Sequence, residues 1–137
     1  MPFLDGDDFH PAANVAKMSA GIPLTDEDRI PWLERCADEM LATDGSVLAC
    51  SSLRRTYRKI IREKIGDVIF VYLAGSRELL LQRMSQRQGH FMKAQMLDSQ
   101  LATLEPLEPD EPGFRVDIAA SEPEIASQIL EGLKSKN

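Results

Sequence analysis

The run Val68–Leu73 (VIFVYL) restricts the fold more than any other part of this sequence. It is β-branched and aromatic and has no polar alternation, so it reads as a buried strand covered on both faces. Other short apolar runs share its character. Ser46–Cys50 (SVLAC) is bounded by turn signals and has a strand's length. Phe114–Ile118 is a short last strand, and Pro2–Leu4 is an apolar piece that ends in Asp5-Gly6-Asp7. Between these runs lie helical patterns. Pro11 suits a first helical turn and Gly21 a stop, giving a helix over 11–20. Thr25-Asp26-Glu27-Asp28 is an acidic, cap-like start of a helix to about Thr43, with Pro31 tolerated in its first turns. Ser52 is expected to cap a helix to about Lys64, with Leu53, Tyr57, Ile60 and Ile61 inward. Its other face, Arg54, Arg55, Arg58, Lys59 and Arg62, is read as solvated apart from the two arginines at its start. Helices are also expected over 77–87 and about 93–104. Ser121-Glu122-Pro123-Glu124 opens a last helix with Ile125, Ile129, Leu130 and Leu133 inward. Strands alternating with helices predict an α/β domain with a parallel sheet flanked by helices.

Length and charge narrow the function. A chain of 137 residues is one domain or slightly less. A net charge of −6 argues against a general nucleic-acid binder. No apolar run is long enough for a membrane span, and the N-terminus MPFLDGDDFH lacks the marks of a signal peptide. Cys36 and Cys50 are expected to be buried free thiols. Together these features predict a soluble cytoplasmic protein.

Several polar groups stand where chemistry is done. Asp5-Gly6-Asp7 falls at a strand's carboxyl end, where open α/β sheets bind ligands. Two carboxylates one residue apart can divide the work, one holding Mg²⁺ and the other taking a hydroxyl proton; the same string is also a common turn. Gly6 would let the backbone turn between them. His10, taken alone, reads as a satisfied surface or core polar group. Asn14 and Lys17, on successive turns of the 11–20 helix, either contact a ligand or solvate that helix. Arg29 suits two-pronged carboxylate recognition, with Arg54 second; alternatively Arg29 pairs with a neighbouring acid. Arg54 and Arg55 strengthen an anion site at a helix start. Arg83 and Arg87 lie one turn apart before Gly89 and His90. By themselves they read as arginines facing the dipole at a helix C-terminus closed by Gly89.

The string His10-Pro11-x-x-Asn14-x-x-Lys17-Met18-x-x-Gly21-x-Pro23-Leu24, followed by Asp28-Arg29-x-Pro31-Trp32, resembles the sugar-acid segment of the gluconokinases. Asp5-Gly6-Asp7 before it and Arg83-x-x-x-Arg87-x-Gly89-His90-Phe91 after it extend the resemblance over nearly the whole chain. Adenylylsulfate and shikimate kinases carry related Asp strings, but not the long His10-to-Trp32 pattern.

The resemblance implies ATP-dependent phosphorylation of D-gluconate to 6-phospho-D-gluconate, with ATP and Mg²⁺ as cofactors and a homodimer permitted. It places Asp5 at the metal and nucleotide and Asp7 at the substrate hydroxyl. It places His10, Asn14, Lys17, Arg29, Arg54 and His90 around the sugar acid, and Arg83 and Arg87 on a lid of about 83–104. In that family a G-x-x-G-x-G-K-S/T loop precedes the block, whereas here only Met1 and Pro2 do; the other glycines are isolated. The implied fold is therefore a single partial domain over 1–137. It is P-loop-kinase-like and three-layered, without its first (central) strand, the phosphate loop and the first helix. Such a polypeptide is expected to be impaired or inactive in phosphoryl transfer, or else to be a binding or regulatory short form that keeps the sugar-acid site.

Overall fold

A computed structural model of the chain describes residues 2–85 and 94–136. The elements run β1 (Phe3–Asp5), a 3-10 turn (Gly6–Phe9), α1 (Ala12–Ser19), α2 (Asp26–Leu41), β2 (Val47–Ala49), α3 (Arg55–Ile65), β3 (Phe70–Ala74), α4 (Arg77–Ser85), α5 (Ala94–Thr103), β4 (Gly113–Asp117) and α6 (Glu122–Lys136). Both strand pairs are parallel: β1 with β2, placing Asp5 opposite Ala49, and β3 with β4, placing Ala74 opposite Asp117. The fold class is thus α/β, with parallel strands flanked by helices. The chain divides into two compact units, Met1–Asp67 with Phe91–Glu105, and Val68–His90 with Pro106–Asn137.

The first unit is held by α2. Its start is the expected capping box: Thr25 Oγ1 accepts the Asp28 N–H, and Asp28 Oδ2 accepts the Thr25 N–H. Trp32, Leu33, Cys36 and Ala37 follow at helical spacing and are all buried, together with Tyr57 and Ile61 of α3. Both cysteines are free; Cys36 is buried, and Cys50 is half-buried with its sulfur accepting the Ser52 hydroxyl at 3.4 Å. Gly6 is needed here for a reason other than turning. Its φ is not positive, but a side chain there would put Cβ 2.7 Å from the Ala49 carbonyl oxygen. The loop after β1 therefore lies directly against the end of β2.

Two expectations about α3 fail. Ser52 does not cap it. The N-cap is Arg54, without a side-chain cap bond, and the Arg55 N–H donates instead to Glu105 Oε1 at 3.0 Å. Arg58 is not solvated. It is 4% exposed, and its Nη1 donates to the carbonyls of Ser52 and Glu105, both at 3.0 Å. Residue 105 thus closes the start of α3 from the far side of the sequence, satisfying backbone groups a local cap would otherwise take.

In the second unit β3 is not covered on both faces, because Leu73 is half exposed. Among the described residues, the buried apolar side chains of this unit are Ala74, Val116 and Ile118, too few to enclose a strand. Ser121 Oγ accepts the Glu124 N–H at the start of α6, as expected. Leu130 does not turn inward. The inward stripe passes through Gly132, where a Cβ would lie 2.4 Å from the Phe114 ring, and Leu130 falls well off that line.

Candidate functional site

The candidate site is a small cleft in the first unit, lined by Asp7, His10, Met18, Leu24, Arg29, Trp32, Ser51, Leu53 and Gln100. Its free space is about 10 Å³, room for about one water molecule, so a six-carbon acid enters only if the walls part. Three of the residues expected from the sequence meet there: Asp7, His10 and Arg29.

The loop after β1 presents the carboxylates. Asp5 Oδ1 accepts the Asp7 N–H at 3.0 Å, which fixes the 3-10 turn and sends Asp7 into the cleft. Trp32 Nε1 donates to the Gly6 carbonyl at 2.7 Å and anchors the same loop to α2. The Trp32 ring also stacks on His10, with centroids 4.1 Å apart and planes 15° apart. Trp32, read as packing, thus shapes the site as well. Burial, and then the nearby Arg29 cation, lower the His10 pKa to about 4, so the ring is neutral at pH 7.

Asn14 is 3% exposed. Its Nδ2 lies 3.2 Å from His10 Nδ1 and 3.0 Å from the Asp28 carbonyl oxygen. Lys17 Nζ donates to Asp28 Oδ2 at 2.8 Å, so α1 is tied to the capping residue of α2. The Lys17 hydrogen bond first, and the Thr25 N–H next, lower the Asp28 pKa to about 2.

Arg29 is 6% exposed. Its Nη1 donates to the Tyr57 hydroxyl at 2.9 Å, and its Cζ sits 5.4 Å from that ring's centroid. The hydroxyl in turn donates a hydrogen bond to Asp26 Oδ1. Burial and the bond to Asp26 raise the Tyr57 pKa, which keeps that proton in place. Arg54 lies 3.9 Å from Asp26 Oδ2 on the exposed side of this chain, outside the cleft. Among the described residues no carboxylate stands within ion-pair distance of Arg29; Asp26 is reached only through Tyr57.

The remaining expected residues lie elsewhere. Arg83, in the second unit, donates from Nη2 to the carbonyls of Ile118 and Ala120, both at 3.1 Å, and sits 3.9 Å from Glu122. Arg87 and His90 lie outside the described residues. Among the described residues no group of three or more His, Cys, Asp or Glu could hold a metal. Asp5 still suits a hard cation as a single oxygen ligand, because Mg²⁺ takes one or two carboxylates and completes its shell with water and phosphate oxygens. Sequence reasoning missed Gln100, Leu53 and Tyr57 as site residues. Only the fold brings them to Arg29 and His10, and no local motif marks them.

No protein-family model matches the chain. The thermosensitive gluconokinase of Escherichia coli K12 is 47% identical over 121 residues, which are 85% of this chain and 65% of that protein. The gluconokinase of Gluconobacter oxydans 621H is 49% identical over 118 residues, 83% of this chain and 66% of that protein. The chain therefore spans just under two thirds of the length of these two relatives. Among solved structures, an unliganded sugar kinase from Janibacter sp. HTCC2649 superposes with a TM-score of 0.90 at 45% identity, covering 98% of this chain and 80% of that one. A gluconokinase from Sinorhizobium meliloti 1021 gives 0.88 at 43%, covering 98% and 77%. A probable gluconokinase of Mus musculus is 39% identical over 153 residues, 96% of this chain and 83% of its own, and with such relatives the chain belongs to the gluconokinase family.

Proposed function

We propose that this chain serves the ATP-dependent phosphorylation of D-gluconate to 6-phospho-D-gluconate, and that its first unit supplies the sugar-acid side of that reaction. The observation that carries this reading is Arg29, a buried guanidinium lining a cleft and bonded to a neutral hydroxyl. Buried charges are ordinarily paired, and a planar carboxylate is the partner that a guanidinium fits best. The carboxylate of gluconate fills that role. Asp7, His10 and Gln100 supply polar groups around it for the hydroxyls.

Asp7 acts as the base. It takes the proton of the acceptor hydroxyl as that oxygen becomes the nucleophile. Asp5 would hold Mg²⁺, its carboxylate oriented by the Asp7 N–H that donates to Oδ1. When bound, Mg²⁺ and ATP supply the transferable phosphoryl group with its charge partly neutralised. Asn14, Lys17 and Arg54 brace the acid-binding wall from behind, Arg83 and Arg87 belong to the phosphate side, and His90 keeps its place at the sugar acid. The two free cysteines suit a reducing cytoplasm.

The 137 residues contain no G-x-x-G-x-G-K-S/T string. By themselves they are therefore expected to bind gluconate and to transfer phosphate poorly or not at all. Gluconate-dependent ADP release by this polypeptide, beside calorimetric gluconate binding, tests both halves. Binding without turnover is the expected result. Robust turnover would contradict the second half, and a polypeptide that ignores gluconate would contradict the first.

A further inference from the structure

The hydrogen bonds of Asn14 decide which nitrogen of His10 carries the proton. A backbone carbonyl can only accept, so the end of the Asn14 amide that faces the Asp28 oxygen at 3.0 Å is the NH₂ group. The same nitrogen faces His10 Nδ1 at 3.2 Å. Two hydrogens serve two acceptors, and a protonated Nδ1 would place hydrogen against hydrogen. Nδ1 is therefore the bare nitrogen, and the single proton of the neutral ring sits on Nε2.

One face of the ring is covered by Trp32, and Nδ1 is occupied by Asn14. Nε2 makes no hydrogen bond among the described residues, is not sealed from solvent, and belongs to a side chain that lines the cleft. We propose that Asn14 is a positioning residue that holds His10 as the Nε2–H tautomer, so that the cleft offers a fixed hydrogen-bond donor to an acceptor oxygen of the sugar acid. The identity of that ligand rests on the gluconate reading above; the tautomer does not. The depressed His10 pKa keeps the ring neutral, with one nitrogen bare.

A histidine whose bare nitrogen is occupied and whose other nitrogen is protonated cannot take a proton from a hydroxyl. His10 orients substrate, and proton removal falls to Asp7, the carboxylate that lines the cleft with it.

Long-range proton–nitrogen NMR correlation on the ¹⁵N-labelled, ligand-free protein at pH 7 tests the tautomer, with His10 assigned by the signal lost in His10→Gln. A protonated Nε2 and a bare Nδ1 are expected; a protonated Nδ1 would overturn the proposal. In Asn14→Leu the two tautomers should mix, and gluconate should bind roughly three- to tenfold more weakly for want of one oriented hydrogen bond. An unmixed Nε2–H spectrum in that variant would remove Asn14 from the role. Added gluconate should shift the His10 Nε2 signal of the parent protein, and binding that leaves it unmoved would overturn the contact. Were calorimetry to show no gluconate binding at all, the sugar-acid reading would fall, while the ligand-free spectrum would still decide the tautomer.

Discussion

The two units of this chain spend their polar residues differently. In the first, charged and amide side chains far apart in sequence are linked into chains that end at a cleft: Arg29 to Tyr57 to Asp26, and His10 to Asn14 to Asp28. In the second, Arg83 spends its donors on the carbonyls of Ile118 and Ala120, and close contact is made through glycines, Gly113 against Phe70 and Gly132 against Phe114. The apolar cores differ in the same direction. Met18, Leu24, Trp32, Leu33, Cys36, Ala37, Tyr57, Ile61 and Leu97 are buried in the first unit, against Ala74, Val116 and Ile118 in the second. A buried guanidinium is tolerable where packing on every side can hold it in place, and the thicker unit is the one that carries it.

The largest effect that would break this contrast is a stability difference. Leu33→Ala, at a fully buried position of α2, should cost about 2–5 kcal/mol in urea unfolding. Leu130→Ala on α6, 60% exposed, should stay within about 0.5 kcal/mol. Equal costs would mean that the two units do not differ as their burial says. Next comes the charge. Arg29→Ala should weaken gluconate binding by roughly 30- to 100-fold, the worth of a hydrogen-bonded charge contact. An unchanged dissociation constant in calorimetry would take Arg29 out of the site.

The third effect concerns closure of the first unit on itself. Glu105→Ala removes the distant cap of α3 and should cost about 1 kcal/mol, read from the urea midpoint. A Ser52→Ala change that costs more would restore the local cap expected from the sequence. The smallest is a pH effect. The folded His10 pKa lies near 4, below the unfolded value of 6.5, so the unfolded chain binds the proton more readily between these values. Stability contributed by the neutral ring is complete above pH 6.5 and declines as pH falls towards 4. Because the ring is only half-buried, the slope should be modest. His10→Gln should flatten it, and an unchanged slope would assign the effect to another group.

These contrasts also explain what could be read from the residues alone. The box of Thr25 and Asp28, the stop at Gly21 and the carboxylate pair after β1 are local, so a few neighbouring residues announce them. The burial of Arg58, the cap from Glu105 and the Arg29–Tyr57 bond join residues 28 to 50 positions apart, and nothing in either partner's neighbourhood names the other. Arg58 is instructive because helical spacing puts it on the basic face of α3, yet its guanidinium is taken up by the carbonyls of Ser52 and Glu105. The resemblance of the His10-to-Trp32 pattern pointed to a segment whose His10, Met18, Leu24, Arg29 and Trp32 line one cleft. It could not say that Arg54 faces Asp26 outside the cleft while Arg29 lines it.

The central claim is that a buried cation in the first unit awaits a carboxylate. Calorimetric titration of this polypeptide with D-gluconate and, in parallel, with D-glucitol tests it directly, because the two carry similar hydroxyls and only one carries the acid. Gluconate is expected to bind one-to-one, and glucitol at least roughly tenfold more weakly. Equal affinity for the two, or binding of neither, would contradict the account.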